Sequence, residues 1–279
     1  MRTGVFFHEV FKGRKWLVIG DKFGNFPAAM AHALALPGVD LFTPDKVSEA
    51  LLNRIHTPRM VRDLSDAWYG EAARYAVGGC VEAVEKVLAG ELENALAFTV
   101  AAGHHAESDH AWGGTYVSCA GPALLNARDK LGPRKIAILD TDRHHGNGTR
   151  EIFRDDPDVL HVCFCSWDRI EGDGNKVCVN TAVPQTDQSY MKRVRAEFMP
   201  RARAFQPHLI FHNLGHDTCE LDYGDLGLSP PFFPRLVKEI RDCARELCEG
   251  RYVVLTHGGK RADVADYIFP RIIEVLAER

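Results

Sequence analysis

Apolar residues along this chain fall into two alternating patterns. Unbroken apolar runs, bounded by Gly, Pro or polar residues, read as buried strands. Such runs occur at Gly4–Phe7, Ala95–Val100, Lys135–Leu139, Val159–Cys165, His208–His212 and Tyr252–Leu255. Between them, apolar positions recur every three or four residues, as amphipathic helices require. Helices of this kind are expected from about Glu71 to Leu88, Ala120 to Lys130, Ser189 to Ala204, Pro231 to Glu249 and Asp263 to Ala277, with a turn or two over Thr149–Phe153. Thr43-Pro44 pairs an N-cap hydroxyl with a first-turn proline, so a helix should begin there and carry Val47, Leu51, Leu52 and Ile55; Thr57-Pro58 restarts the chain. Residues 8–40 look irregular, with Trp16–Ile19 as a short strand or hairpin arm, and residues 166–187 look like a loop.

Strands alternating with helices predict a mostly parallel sheet with helices on both faces. Such sheets bind ligands beyond the carboxyl ends of their strands. Four runs here end in polar loops rich in His, Asp or paired Gly: after Val100, after Leu139, after His212 and after Leu255. In a parallel sheet those loops share one edge, so they converge on one site.

The densest of them is Asp140-Thr141-Asp142-Arg143-His144-His145-Gly146-Asn147-Gly148-Thr149. If the backbone stays extended, Asp140, Asp142 and His144 point to one side and His145 to the other. Carboxylate oxygens with an imidazole nitrogen suit Zn²⁺ or a similar divalent ion. Gly103-His104-His105-Ala106-Glu107 is a second strand end that delivers imidazoles to a loop.

Composition narrows the field. The chain has 279 residues, 46% hydrophobic and 26% charged, with a formal net charge of −4. That is an ordinary globular composition, long enough for one large α/β domain over 1–279. No long basic run is present, which argues against a nucleic-acid footprint. No stretch approaches a membrane span, and the apolar run before His8 is too short for a signal peptide. The eight cysteines include no C-x-x-C pair, so free thiols in a cytoplasmic protein are expected.

Taken together, Gly103-His104-His105-Ala106-Glu107, Asp140-x-Asp142-x-His144-His145-Gly146-Asn147-Gly148-Thr149, Gly215-His216-Asp217 and Gly258-Gly259 resemble, in order, the motifs of the histone deacetylase family. Arg54-Ile55-His56-Thr57-Pro58 and the stretch from Gly78 to Ala97 are similar to its preceding segments. The resemblance implies an arginase/deacetylase-like fold, a three-layer α/β/α sandwich with a mostly parallel central sheet. It implies one Zn²⁺ per chain and potassium as a structural ion. Asp142, His144 and Asp217 would be the metal ligands. His105 would act as general base and acid, with His104 its charged or hydrogen-bonding neighbour. Asp140 would orient His104 and contribute to the monovalent-cation site. The implied reaction is hydrolysis of an N-acetyl or N-acyl amide on a lysine, a polyamine or a small amine.

Three features depart from the family pattern. The tyrosine that normally follows the paired glycines, and stabilises the oxyanion, is replaced by Lys260. Lys260 would be the donor itself, or Tyr223 or Tyr116 would reach in from another loop. A weakly active protein that only binds metal and an acylated ligand is the alternative. The family's Gly-Phe pair appears as Gly114-Thr115, removing one aromatic wall of the substrate tunnel. Trp167 would substitute for a second missing aromatic, giving a rim of Gly114, Thr115, Trp167 and Tyr223. A two-metal ureohydrolase would need a further ligand pair near Asp217, and Asp222 and Asp225 do not have that spacing.

Overall fold

The structure is a computed structural model and describes residues 2–132 and 134–278. Its strands are β1 (Thr3–Phe6), β2 (Val39–Phe42), β3 (Asn94–Ala97), β4 (Ile136–Asp140), β5 (Val159–Cys165), β6 (Arg169–Glu171), β7 (Lys176–Asn180), β8 (Leu209–Leu214) and β9 (Tyr252–Thr256). They form one sheet in the order β2-β1-β3-β9-β8-β4-β5-β7-β6. Every pairing is parallel except that of β6 with β7.

Every residue of β1, β3, β4, β5, β8 and β9 is buried. Alternate side chains of a strand face opposite ways, so burial of all of them means the sheet is covered on both faces. That is why these strands carry unbroken apolar runs rather than alternating ones. The helix Gly70–Leu88 packs on Ala120–Leu131, and Phe232–Cys248 packs on Ala262–Ala277. The result is the expected α/β sandwich. Among the described residues no helix is long and apolar enough to cross a membrane.

The strands β3, β9, β8 and β4 are contiguous in the sheet. Their carboxyl ends are the four loops singled out from sequence, so the loops emerge side by side. This ordering is what assembles the site.

Several expected elements differ. Trp16–Ile19 is not a strand: Trp16 and Gly20 pair across a tight turn. Leu17 and Val18 are largely exposed there. Their apolar character serves the mouth of a cavity described below, which local pattern cannot distinguish from a strand. The edge strand β2 begins within the last two residues of the segment read as irregular and runs past it to Phe42; it is short and half-exposed, so no apolar run marks it. Residues 166–187 contain all of β6 and β7 rather than loop alone. The strand β3 stops at Ala97, three residues before Val100. The helix expected from Thr43 begins only at Glu49, capped by the Ser48 hydroxyl.

The intervening segment runs across the helix Gly70–Leu88. Val47 N–H donates to the Arg74 carbonyl at 3.1 Å, and the Arg74 side chain returns to the Val47 carbonyl. At the crossing, a Cβ on Gly78 would lie 1.8 Å from the Asp45 carbonyl oxygen. Gly78→Ala should therefore destabilise the fold by about 1–3 kcal/mol, although alanine is the better helix former. A lowered urea midpoint with an unchanged slope is the expected reading; an unchanged or raised midpoint would contradict the close crossing.

Candidate active site

At the end of β4 the chain places Asp140 under the sheet edge and turns Asp142 and His144 above it. Asp142 Oδ1 accepts from the His144 amide at 2.9 Å and from His144 Nδ1 at 3.1 Å. Asp142 Oδ2 accepts from the Gly258 amide at 2.8 Å, at the end of β9. Asp217, after β8, comes within 3.2 Å of His144 Nδ1 through Oδ2. Its Oδ1 accepts from the Arg143 amide at 3.2 Å. The ligand atoms of Asp142, His144 and Asp217 all lie within 4.8 Å of one another. Both carboxylates are buried, and Asp217 Oδ2 has no hydrogen-bond partner of good geometry. An orphaned carboxylate oxygen beside a second carboxylate and an imidazole is what a divalent cation would satisfy. The donor set therefore fits a metal.

The glycines explain the tightness. A Cβ on Gly258 would sit 2.4 Å from Asp142 Oδ2, and one on Gly146 would sit 2.6 Å from Asp140 Oδ2. Neither position tolerates a side chain without moving a carboxylate.

The paired histidines stand beside this centre. His104 Nδ1 donates to Asp140 Oδ2 at 2.8 Å, and the Asn213 side-chain amide donates to the same oxygen at 3.2 Å. The Asp142 amide donates to Asp140 Oδ1 at 3.2 Å. These donors give the Asp140 carboxylate three hydrogen bonds, two to Oδ2 and one to Oδ1. His104 Nε2 and His105 Nε2 are 3.1 Å apart, too close for both to carry protons. His105 Nδ1 donates to Asn147 Oδ1 at 2.7 Å, and that oxygen also accepts from Trp112 Nε1 at 3.1 Å.

The two imidazoles consequently differ. Burial alone would lower the pKa of His104, but the carboxylates of Asp140 and Asp142 outweigh it and raise the value to about 9. Burial, and then the positive charge on His104, push His105 down to about 3. The pair holds one proton too many on His104 and leaves His105 neutral.

These groups form the floor of a cavity of about 190 Å³. Its wall is Val18, Ile19, Val100, Trp112 and the turn Gly113–Thr115. Gly114 and Thr115 lie where the sequence puts the rim, and Thr115 Oγ1 accepts from the His105 amide at 3.2 Å. Tyr223 also lines the cavity, and its hydroxyl accepts from the Gly259 amide at 2.9 Å.

Other expected residues are elsewhere. The Lys260 side chain is exposed and does not line the cavity. Its amide, with that of Arg261, is tied to the Asp222 carboxylate, which turns the chain away from the site. Tyr116 stacks on Tyr69 at 3.8 Å, outside the cavity. Trp167 packs on His145 at 5.1 Å rather than on the cavity wall.

Sequence reasoning missed four residues. Trp112 covers His105 with ring centroids 4.0 Å apart, so the aromatic wall comes from two residues before Gly114. Asn147 fixes the His105 tautomer; its position within H-H-G-N-G was the signal. His257 lies against His104 at 4.4 Å, and its place before the paired glycines was a usable hint. Lys22 is fully buried behind the site and donates through Nζ to the His257 carbonyl. Burial pushes its pKa down to about 8, against the pull of the Asp142, Asp217 and Asp222 carboxylates. No pattern around Lys22 marked it.

Comparison with known proteins identifies the relatives. The family model for the histone deacetylase domain matches residues 67–276. The chain belongs to the histone deacetylase family. Histone deacetylase 9 of Homo sapiens is 31% identical over 210 residues, covering 67% of this chain and 20% of that protein. Histone deacetylase 5 of Arabidopsis thaliana is 34% identical over 233 residues, covering 75% of this chain and 34% of its own. Histone deacetylase 15 of Arabidopsis thaliana is 29% identical over 278 residues, covering 86% and 49%. The chain thus spans from a fifth to about half of the length of these relatives. A crystal structure of the HDA15 HD domain superimposes with a TM-score of 0.85 at 24% identity, over 99% of this chain and 89% of that one, and so shares its fold.

The buried carboxylates of this histone deacetylase-family chain generate a pH dependence. Burial and the neighbouring Asp142 carboxylate raise the Asp217 pKa to about 7. The adjoining carboxylates of Asp142, which accepts from its ring, and Asp217 raise that of His144 to about 10. With the His104 shift, all three groups bind protons more tightly in the folded chain than in the unfolded one. Their stabilisation is complete below the unfolded values and is lost as pH rises through the folded ones. In chelator, the thermal midpoint should therefore fall from about pH 7 to about pH 8, and added zinc should abolish the fall. A midpoint indifferent to pH and to zinc would mean that the two carboxylates and His144 do not share a cation.

Proposed function

We propose that this chain is a zinc-dependent amidohydrolase that removes an acetyl or similar acyl group from an amine, such as an acetyl-lysine, an acetylated polyamine or a small acylated amine. The observation that carries the reading is that Asp142 and His144, grouped with the buried Asp217, line one apolar cavity together with the His104–His105 pair. Asp142, His144 and Asp217 would hold the ion, with room for a fourth position. When bound, zinc supplies Lewis acidity toward the acyl carbonyl and lowers the pKa of water.

The chain's own groups account for the rest. His105 is neutral, and its Nδ1 proton is committed to Asn147, so Nε2 carries the lone pair, which accepts from His104 Nε2 at 3.1 Å until water takes that place. It is the base that takes a proton from attacking water and returns it to the departing amine. His104 keeps a positive charge because Asp140 is buried behind it, and it steadies negative charge developing next to His105. Val18, Ile19 and Trp112 shield the alkyl chain of the amine and exclude water around the reacting carbon.

The oxyanion donor is Tyr223. Its hydroxyl already accepts from the Gly259 amide, and among the described residues nothing takes its proton. The same hydroxyl lies 2.8 Å from the point where a Gly258 Cβ would stand, a point that is itself 2.4 Å from Asp142 Oδ2. Tyr223 thus brings its hydroxyl to the side of the cavity where Asp142 stands. The reading as a binding-only protein drew its support from Lys260, and the position of the Tyr223 hydroxyl favours catalysis over it.

The test is hydrolysis of fluorogenic acetyl-lysine, trifluoroacetyl-lysine and acetylpolyamine substrates, with and without chelator. Chelator-sensitive turnover of at least one is expected; none at all sinks the proposal. Tyr223→Phe should lower kcat by about 10²–10³-fold with little change in KM, as loss of an oxyanion donor does. Lys260→Ala should leave both constants unchanged. The reverse ranking of these two variants would return the donor role to Lys260.

A further inference from the structure

The loop that carries His144 also carries His145, whose side chain points the other way. On that side it meets three thiols. Cys163 and Cys165 are two apart on β5, so they share a face. The register pairs Cys163 with Cys178 of β7, which places the third thiol beside them. The register of β4 with β5 pairs Asp140 with Cys163, which brings the loop after β4 over the same spot. Three neighbouring strands thus bring three ligand groups together, with Cys178 beside His145 as a fourth.

The distances suit a metal. The ligand atoms of His145, Cys163 and Cys165 lie within 4.8 Å of one another. Cys178 Sγ is 3.6 Å from His145 Nδ1. In a tetrahedral zinc centre, Zn–S and Zn–N bonds of the usual length separate sulfur from nitrogen by about 3.6 Å and sulfur from sulfur by about 3.8 Å. The three thiols are buried and form a cluster of their own, apart from the main apolar core. Thiols that only fill space would be expected to merge with that core.

We infer that His145, Cys163, Cys165 and Cys178 form a second metal site, a Cys3His centre that takes a soft divalent ion such as zinc. Thiolate ligands exclude magnesium and calcium. Binding releases the thiol protons to solvent as three sulfur–metal bonds form, with no change of oxidation state. Four protein ligands leave no open position, so the centre is structural. The resulting site would carry one net negative charge, and the buried Arg150 guanidinium acts on Cys178 from nearby. Because His144 and His145 are consecutive, an ion here clamps the loop that presents His144 to the cavity. Trp167, packed on His145, lids the site from solvent.

Cobalt reads the two sites apart, because only thiolate ligands give an intense sulfur-to-cobalt charge-transfer band in the near ultraviolet. The full chain is purified under reducing conditions, stripped with chelator and titrated with Co²⁺. The band is expected in the wild type, together with two metal ions per chain by elemental analysis. It should persist in Asp217→Ala, which falls to one ion, and disappear in Cys165→Ser/Cys178→Ser, which also falls to one. A wild-type protein that binds cobalt without a thiolate band overturns the inference, and it does so whether or not the cysteine variant folds. Activity plays no part in this readout, so failure of the hydrolase reading would leave it standing.

Discussion

Two carboxylates buried within reach of the same imidazole dominate this structure. Asp142 and Asp217 are both withdrawn from water, and each repels the other's charge. Removing even one ionised carboxylate from water costs several kcal/mol unless it is paired. The chain answers with the amides of His144, Gly258 and Arg143 and with the His144 ring, which leaves one oxygen of Asp217 unmatched. A site so arranged holds its geometry for a cation rather than for stability. The order of β3, β9, β8 and β4 exists, in this view, to bring those unfavourable groups together.

Most of that arrangement was legible in the sequence, because buried parallel strands must be apolar throughout and must end abruptly. The runs at β4, β5, β8 and β9, and the polar loops after them, follow from that rule. The proposed ligand group at Asp142, His144 and Asp217 and the pairing of His104 with Asp140 came instead from the resemblance to the histone deacetylase motifs. Elements without such a constraint were not legible. The edge strand β2 and the hairpin strand β6 are exposed on one or both faces, so nothing in their composition sets them apart. Val18 and Ile19 show the converse, since lining a cavity demands the same residue types as joining a sheet.

The changes from the family pattern share one logic. A loop position can lose a side chain if another loop delivers an equivalent atom to the same place. Asp222 fastens the amides of Lys260 and Arg261 and turns that strand end outward, while the residue next to Asp222, Tyr223, enters the cavity. One carboxylate therefore accounts for both the exclusion of Lys260 and the entry of the tyrosine. Trp112 likewise covers His105 where Gly114-Thr115 offers no ring. Residue-by-residue transfer of a motif misses such exchanges, because what chemistry selects is the location of a donor or a ring, not its position in the chain.

The loop after β4 carries the same reasoning one step further. Its residues alternate in direction, so Asp140, Asp142 and His144 serve the cavity while His145 serves the thiols behind it. Any force that holds His145 also limits how far His144 can swing. His144 is the most exposed of the three proposed ligands, with 39% of its side chain open to solvent, held by the two carboxylates and faced by the rings of Tyr223 and His105 at 5.8 and 6.0 Å. A second anchor one residue away would stiffen the least supported ligand without adding any group to the cavity itself. That is the economy of putting consecutive histidines at the end of a buried strand.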